Sequence, residues 1–186
     1  MMKEGRRLGL DIDGVVANWL AAAFAIMYFD HGIDIYPHVA TWHPIDPGVN
    51  LLFTQLIKNE DVYKVLMPVS GAVDGVHTLL KHFEQISYVT HRPAAASLVT
   101  LDWLEKWGFP PLPLYHTNGS KLFRARALGL THFVDDNPDT IHAMREAGIA
   151  GYLLVVHEIP SQRNQRARDL PWIIPSWEKL LPLLVG

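Results

Sequence analysis

The segment RLGLDIDGVVANW, Arg7–Trp19, joins an apolar run to two acids, Asp11 and Asp13, which flank one isoleucine and precede Gly14. Neighbouring carboxylates repel each other, so a strand that served only the core would not be expected to end in two of them. Acids are also common at helix starts, and a capping role stays open for this pair taken alone. The rest of the chain has to show whether the two acids share a chemical task.

The composition predicts one compact domain with room for a modest insertion. The chain has 186 residues, and 49% of them are hydrophobic, which is enough apolar material for a core. No apolar run reaches the length of a membrane span, so we expect no membrane association. The first residues, MMKEGRRLGLD, do not fit a secretory signal, and the chain has no cysteine for disulfides. These features favour a cytoplasmic protein.

The charge pattern gives no reason to expect a polymeric nucleic acid as a partner. The net charge is −3 at pH 7, and the one basic cluster, Gln162–Asp169, is typical of a solvated loop. The hydrophobic run PSWEKLLPLLVG, residues 175–186, could pack on the domain or on a second copy in a homodimer. The sequence leaves the oligomeric state open.

Short β-rich runs alternate with helical patterns along most of the chain. This order predicts a parallel sheet covered by helices, which is a doubly wound, Rossmann-like α/β fold. The predicted strands are RLGLD, ISYVT, PLYH, HFVD and GYLLVV, and the predicted helices are Val16–His31, Leu51–Lys58, Ala72–Phe83, Ala94–Trp107, Lys121–Leu128 and Thr140–Ala147.

One segment breaks this alternation. Residues 18–70 are too many for one strand-to-strand crossover, and they contain a run rich in Pro, Gly and other turn residues. We therefore predict a core formed by residues 1–17 and 71–186 and a small helical cap formed by residues 18–70. Because the insertion directly follows the paired acids, the cap should lie over them.

The carboxyl ends of the predicted strands carry the residues that chemistry would need. Open α/β sheets bind their ligands at that edge. Two acidic clusters meeting there favour a cation between them, and hard oxygen ligands suit Mg²⁺. A hydroxyl and a lysine suit phosphate, so the whole set predicts phosphoryl transfer. The residues are Asp11, Asp13, Thr90, His91, Arg92, Lys121, Asp135 and Asp136.

In kind and order these residues resemble the four motifs of the haloacid dehalogenase superfamily of phosphohydrolases. DIDGVV resembles the first motif, YVTHRP the second, Lys121 the third and FVDDNPD the fourth. Within the superfamily, DIDGVVANW, MPVSGAVDGV, LDWLEKWGF and VDDNPD resemble segments of the 5′(3′)-deoxyribonucleotidases. One Asp-x-Asp pair is weak evidence, whereas four motifs in order, each at a strand end, are strong evidence.

The resemblance implies the catalytic and phosphate-binding roles. Asp11 would be the nucleophile that forms an aspartyl-phosphate. Asp13 would protonate the leaving alkoxide and then deprotonate the hydrolytic water. Gly14 would allow the tight turn that brings backbone N–H groups to the phosphoryl group. Thr90 and Lys121 would hold phosphate oxygens, although each alone is an ordinary residue for its position.

The resemblance also implies the metal site. Asp135 and Asp136 would complete a Mg²⁺ shell with Asp11 and the backbone carbonyl of Asp13. The sequence does not decide which of Asp135 and Asp136 contacts the metal directly, and a plain turn with a helix cap is the alternative for both. His91 is a further candidate for phosphate binding, and a role as filler is equally open for it.

The inserted cap should select the substrate. Trp19 stands where the resembling nucleotidases carry an aromatic that stacks on the base, an interaction that contributes roughly 1–3 kcal/mol per base. Tyr28, Trp42 and Tyr63 add further rings, and core packing is the alternative for each of the four. The sequence departs from the deoxyribonucleotidase pattern after Thr90, where Arg92 could bind the sugar or the phosphate or pair with a nearby acid.

We weigh three functions from different classes. The favoured one is a Mg²⁺-dependent phosphatase that hydrolyses nucleoside monophosphates, deoxyribonucleotides in particular, as its small-molecule partners. The alternative is a related phosphatase for another small phosphomonoester, such as a sugar phosphate. A phospho-acceptor of the receiver type is the third, and it is disfavoured because receivers carry the phosphorylated Asp on a later strand and lack a cap.

Overall fold

The computed structural model of the protein describes residues 3–34, 47–156 and 173–186. Trp42 and the basic cluster Gln162–Asp169 lie outside the described residues. The elements, in chain order, are β1 (Lys3–Leu10), α1 (Trp19–His31), α2 (Pro47–Lys58), α3 (Glu60–Val65), α4 (Ala72–Leu79), β2 (Phe83–Thr90), a 3₁₀ turn (Ala94–Ala96), α5 (Ser97–Lys106), β3 (Leu114–His116), α6 (Lys121–Ala127), β4 (His132–Asp135), α7 (Pro138–Glu146), β5 (Ala150–Leu154), β6 (Ile173–Ile174) and α8 (Trp177–Val185).

The described strands form one six-stranded sheet in the order β3-β2-β1-β4-β5-β6, and all pairings are parallel. The predicted doubly wound α/β fold is therefore confirmed. Strand β1 lies between β2 and β4 in the middle of the sheet. It contains an apolar run because helices cover both faces of a parallel sheet. Leu8 and Leu10 are accordingly fully buried.

The register brings the polar strand ends to one edge. Leu10 pairs with Tyr88 on β2 and with Val134 on β4, so the carboxyl ends of the three strands lie at the same edge of the sheet, within two residues of one another. The strand order also reverses between β1 and β4, which is the topological switch point where open α/β sheets form their ligand crevice. The residues after β1, β2 and β4 therefore surround that crevice.

Helices α1, α2 and α3 form the described part of the insertion, and the chain enters and leaves it at adjacent points. Ala17 and Pro68 form an antiparallel bridge. Asn18 N–H donates to the Met67 carbonyl at 2.8 Å, and Val69 N–H donates to the Val16 carbonyl at 2.8 Å. The boundary at residues 18 and 70 stays a prediction, although these bonds place the two crossing points side by side.

Several predicted boundaries were wrong for local reasons. Helix α1 begins at Trp19 instead of Val16, because the N–H groups of residues 15–17 turn back to the Ile12 carbonyl and Asn18 caps the helix. Helix α7 begins at Pro138 instead of Thr140, because Asn137 supplies the cap and proline suits the first helical turn. Phe83 belongs to β2 instead of the preceding helix.

The hydrophobic run at residues 175–186 packs on its own domain. It forms α8, whose buried residues Trp177, Leu180 and Leu184 join the main core. The indole Nε1–H of Trp177 donates to the Val15 carbonyl at 2.8 Å. This contact supports the loop that carries the paired acids. None of the helices in the described ranges is both long and apolar enough to cross a membrane.

Candidate active site

Asp11 follows β1 directly and is held at the bottom of the crevice. Its backbone N–H donates to the Val134 carbonyl at 3.0 Å, which continues the sheet pairing by one residue. Its Oδ1 accepts the Ile12 N–H at 2.7 Å, and its Oδ2 lies 2.7 Å from Lys121 Nζ. Only 5% of Asp11 is exposed, so its carboxylate is fixed from two sides.

Lys121 is buried between two acids. It is the first residue of α6, which Ser120 caps, and its Nζ lies 2.7 Å from Asp11 Oδ2 and 2.9 Å from Asp135 Oδ2. Burial alone would lower the pKa of Lys121, but Asp11 and Asp135 raise it, and the net shift is upward. A permanent positive charge therefore sits beside the proposed nucleophile.

Three carboxylates converge beside Lys121, and the single positive charge of the lysine cannot balance all three. One carboxylate oxygen from each of Asp11, Asp135 and Asp136 lies within 4.8 Å of the others. Burial raises the pKa of Asp11 to about 7, Lys121 opposes the shift, and the charges of Asp135 and Asp13 add to it. Burial raises the pKa of Asp136 well above its usual value, and the charges of Asp135, Asp11 and Asp13 add to the shift. A divalent cation would remove this repulsion, and a set of hard oxygen donors suits Mg²⁺.

Gly14 makes room for this acidic cluster. Its φ is +83°, a left-handed conformation that favours glycine, and a Cβ at this position would overlap the carboxylate of Asp136. The turn and the absence of a side chain are thus both needed at residue 14. The structure brings together the predicted metal-site residues Asp11, Asp135 and Asp136. Metal binding by the backbone carbonyl of Asp13 stays a prediction.

The carboxylate of Asp13 lies apart from this cluster and is bound by Arg92. Nη2 of Arg92 donates to Oδ1 at 2.7 Å, and Nε donates to Oδ2 at 2.9 Å and to Oδ1 at 3.2 Å. The arginine is 2% exposed. Of the two roles that the sequence left open for Arg92, the structure shows the pairing with a nearby acid.

Aromatic rings enclose the Arg92 guanidinium. Its Cζ lies 4.3 Å from the centroid of the Tyr63 ring and 6.0 Å from that of Trp103. Its Nη1 donates to the Thr100 hydroxyl at 3.1 Å. The indole Nε1–H of Trp103 donates to the Leu66 carbonyl at 2.8 Å, which fixes the end of the insertion against α5.

Thr90 and His91 lie at the end of β2. Thr90 is fully buried, and its Oγ1 accepts the Arg92 N–H at 3.1 Å, which shapes the turn after the strand. His91 is exposed, and its Nε2 lies 2.9 Å from the Gly119 carbonyl in the loop before α6. Both residues line the cleft, where either could reach a phosphate. Phosphate binding by Thr90 or His91 stays a prediction.

The strand ends open into a cleft of about 290 Å³ beneath the inserted helices. On the sheet side its walls are Asp11, Asp13, Gly14, Thr90, His91, Arg92, Lys121, Asp135, Asp136, Asn137 and Pro138, and on the cap side they are Trp19, Leu20, Phe53, Ile57 and Tyr63. The catalytic, metal-binding and phosphate-binding candidates predicted from the sequence all line it, and so do Trp19, Arg92 and Tyr63. Trp19 packs edge-on against Phe53, with ring centroids 5.0 Å apart, while Tyr28 lies outside the cleft and is 60% exposed.

Sequence reasoning missed part of the cap wall. Leu20, Phe53 and Ile57 carry no motif, and their apolar side chains alone cannot be told from core residues. Phe53 and Ile57 lie four residues apart on α2, so a helical spacing of apolar residues facing the core was the only available signal. Asn137 and Pro138 were visible only as the cap of α7.

No protein-family model matches the chain, and no curated protein matches it. Solved structures do match over nearly the whole length. YfnB of Bacillus subtilis, named as a HAD-hydrolase and bound to magnesium, is 16% identical with a TM-score of 0.62, and the match covers 98% of this chain and 99% of that one. A protein of Lactobacillus delbrueckii subsp. bulgaricus named as a phosphoglycolate phosphatase is 14% identical with a TM-score of 0.61, and the match covers 100% of both chains.

A third structure carries a different chemistry on the same fold. The L-2-haloacid dehalogenase of Xanthobacter autotrophicus, with chloropropionic acid covalently bound, is 12% identical with a TM-score of 0.62, and the match covers 100% of this chain and 99% of that one. At these identities the comparison establishes architecture only. The six-stranded parallel sheet with its flanking helices gives this chain the fold of the haloacid dehalogenase-type hydrolases.

Proposed function

We propose that the protein is a Mg²⁺-dependent phosphatase that hydrolyses nucleoside monophosphates, deoxyribonucleotides in particular, through an aspartyl-phosphate. One observation carries the proposal. A buried carboxylate, Asp11, is paired with a buried lysine beside two further acids, while a second carboxylate, Asp13, is held separately in the same cleft. A covalent phosphatase needs these two carboxylates in two different roles.

In the first step Asp11 acts as the nucleophile. One of its carboxylate oxygens attacks phosphorus and forms a P–O bond, while the P–O bond to the alcohol breaks. Asp13, in its protonated form, gives its proton to the departing oxygen, so the alcohol leaves neutral. Lys121, 2.7 Å from the Asp11 carboxylate, is placed to offset negative charge as the phosphoryl group transfers.

In the second step water attacks the aspartyl-phosphate. The Asp13 carboxylate takes a proton from the water as the new P–O bond forms, and the P–O bond to Asp11 breaks. Inorganic phosphate leaves, and Asp11 is regenerated as a carboxylate. Asp13 ends the cycle protonated, as it began, so protons and bonds balance over the two steps.

Asp11, Asp135 and Asp136 are the residues that would hold the metal. A bound Mg²⁺ would neutralise charge on the phosphoryl oxygens and on the acids themselves. The fit rests on three convergent carboxylates, of which Asp11 and Asp135 are buried, with Lys121 beside them, and on the glycine that leaves space for Asp136. YfnB, the similar structure bound to magnesium, adds support at the level of the fold.

The walls of the cleft favour an uncharged, flat group next to the phosphate. Within the described residues, Lys121 and Arg92 are the arginine and lysine side chains that line the cleft, and both are paired with carboxylates. The opposite wall is apolar and includes the rings of Trp19, Phe53 and Tyr63. A nucleoside offers an aromatic base to such a wall.

A phosphatase for another small phosphomonoester is the second candidate. The similar structure named as a phosphoglycolate phosphatase supports it at the level of the fold. Phosphoglycolate carries a second anionic group, a carboxylate, which would need a free cation in the cleft. The paired state of Lys121 and Arg92 counts against phosphoglycolate, whereas a sugar phosphate stays a full alternative.

A panel of phosphomonoesters assayed with Mg²⁺ tests the proposal. The panel should contain ribo- and deoxyribonucleoside monophosphates, a sugar phosphate, phosphoglycolate and, as a control for the dehalogenase chemistry, a 2-haloacid. We expect the highest kcat/KM on a nucleoside monophosphate and no halide release. A preference for a sugar phosphate or for phosphoglycolate would replace the substrate assignment, and halide release would replace the reaction itself.

A further inference from the structure

We propose that Arg92 is a positioning residue, which holds the carboxylate of Asp13 in one orientation and links that orientation to the inserted cap. The inference rests on the proposed function, because it assigns a task within the same reaction. Arg92 does not touch the reacting atoms in this account. It acts through Asp13.

The contacts between the two side chains fix the plane of the carboxylate. Nε and Nη2 of Arg92 together reach both carboxylate oxygens of Asp13, at 2.9 and 2.7 Å. Such a two-point contact restricts rotation about the carboxylate, which a single ammonium group could not do. Each carboxylate oxygen retains a second lone pair, so Asp13 can still exchange a proton on the cleft side.

The guanidinium itself is held on its other sides. Nη1 donates to the Thr100 hydroxyl at 3.1 Å, so each of the three guanidinium nitrogens already donates to an oxygen of the protein. Arg92 is 2% exposed. This degree of burial and bonding suits a support for Asp13 better than a ligand for a phosphate that enters and leaves.

A continuous set of contacts joins Arg92 to the cap. The Arg92 guanidinium stacks over the Tyr63 ring at 4.3 Å, and the Tyr63 hydroxyl donates to the Ile57 carbonyl at 2.5 Å. Tyr63 belongs to α3 and Ile57 to α2, and both line the cleft. The part of the cap that faces the substrate therefore also forms the platform on which the arginine is held.

Two esters with different leaving groups separate positioning from substrate binding. 4-Nitrophenyl phosphate releases a weakly basic phenolate that hardly needs a proton, whereas 4-nitrobenzyl phosphate releases an alkoxide that does. The two esters are similar in size, shape and charge. The value of kcat/KM reports only on steps up to release of the alcohol, so the later hydrolysis of the aspartyl-phosphate does not obscure the comparison.

We expect Arg92→Met to lower kcat/KM about 10²-fold on 4-nitrobenzyl phosphate, because a misplaced catalytic group costs about that much, and less than about 5-fold on 4-nitrophenyl phosphate. Tyr63→Leu should shift the two values in the same sense by a smaller factor. In an Asp13→Asn background, Arg92→Met should cause little further loss on either ester, since it would have nothing left to position.

Arg6→Met is the matched control. Arg6 is also partly buried and stacks over a ring, that of Phe83 at 4.5 Å, but it lies near the start of β1, at the opposite edge of the sheet. Its loss should lower the melting temperature while both kcat/KM values stay near those of the wild type. If Arg92→Met does not fold, Arg92→Lys keeps the charge, loses the two-point contact and should show the same leaving-group pattern.

The outcomes are separable. Equal losses on the two esters that persist in the Asp13→Asn background would overturn the positioning role and make Arg92 a substrate ligand. Equal losses that follow the melting temperature would make it a structural ion pair. A wild-type protein that hydrolyses no phosphomonoester with Mg²⁺, nucleoside monophosphates included, would remove the proposed function and this inference with it, whereas hydrolysis of both esters without leaving-group selectivity in the variants removes the inference alone.

Discussion

The two walls of the cleft are built in opposite ways. The sheet wall carries the charged groups, and its acids and cations are bound to one another or crowded together, as in the Asp11–Lys121–Asp135 set. The cap wall is apolar and consists of side chains from helices, Trp19 and Phe53 among them. In the proposed function, the sheet wall would carry the chemistry and the cap wall would supply the contacts that select the substrate. Mutations of Asp11 or Asp13 should therefore lower turnover of every phosphomonoester, whereas Trp19→Ala should act mainly on substrate choice. Tyr63 is the exception, because it lines the cap wall and also packs under Arg92 of the sheet wall.

The largest effect should come from the sheet wall. Asp11→Asn removes the proposed nucleophile, because a neutral amide cannot form the acyl phosphate, and we expect kcat to fall about 10⁴-fold or more on every phosphomonoester. Phosphate release measured with equal protein concentrations would show this. Lys121 keeps its contact with Asp135, so the variant should remain folded by circular dichroism. Retained turnover in the folded variant would remove Asp11 from its role.

The second effect concerns the other carboxylate on the same wall. Asp13→Asn removes the proton donor and should lower the rate on a nucleotide by about 10²–10⁴-fold, the usual contribution of a general acid. Mg²⁺ binding should change little, because the Asp13 carboxylate lies outside the acidic cluster. Isothermal titration with Mg²⁺ and initial rates would check both statements. A near-normal rate would contradict the assignment.

On the cap wall, Trp19→Ala should act on substrate choice. If the ring stacks on the base, kcat/KM should drop about 5- to 150-fold on a nucleotide and much less on an ester without a base. Tyr28→Ala is the matched control, since Tyr28 belongs to the same helix but lies outside the cleft. Equal losses on both substrates, together with a lower melting temperature, would show that Trp19 only packs the cap.

The smallest effect is a pH dependence of the increase in melting temperature that Mg²⁺ causes. Burial raises the pKa of Asp11 from 3.8 to about 7 in the folded protein. Protonation of Asp11 therefore stabilises the metal-free folded protein against unfolding. This stabilisation is fully present below the unfolded-state pKa of 3.8 and is lost as the pH rises through about 7. Mg²⁺ binds the ionised form, so it should raise the melting temperature by about 2–5 °C more at pH 8 than at pH 6.

Differential scanning fluorimetry with and without Mg²⁺ at the two pH values would measure this difference. In Asp11→Asn the difference should shrink. An equal Mg²⁺ increment at both pH values, or a larger one at pH 6, would contradict the charge arrangement derived for the acidic cluster.

The two walls also differ in how far the sequence could reveal them. The sheet wall was predictable because β1 and β4 are short apolar runs that end in acids, and parallel strands bring such ends to one edge. The cap wall was not, because Phe53 and Ile57 are apolar residues on a helix and nothing in the sequence tells a cleft wall from a core. Likewise the Asp13–Arg92 contact joins residues 79 positions apart, which no local pattern specifies.

The prediction of secondary structure failed where tertiary contacts override local preference. The turn at residues 12–17 is imposed by the Ile12 carbonyl, which accepts several N–H groups and delays α1. Helix α3 and strand β6 were too short to carry a periodic signal.

The central claim is that the acidic edge of the sheet hydrolyses nucleoside monophosphates with the help of a divalent metal. Initial rates of phosphate release from a panel of deoxyribonucleoside 5′- and 3′-monophosphates, measured with Mg²⁺, with excess EDTA, and after Mg²⁺ is restored, test it most directly. If the claim holds, we expect turnover with Mg²⁺, loss of turnover in EDTA and full recovery on restoration. Turnover that persists in EDTA, or none on any nucleotide with Mg²⁺ present, would contradict it.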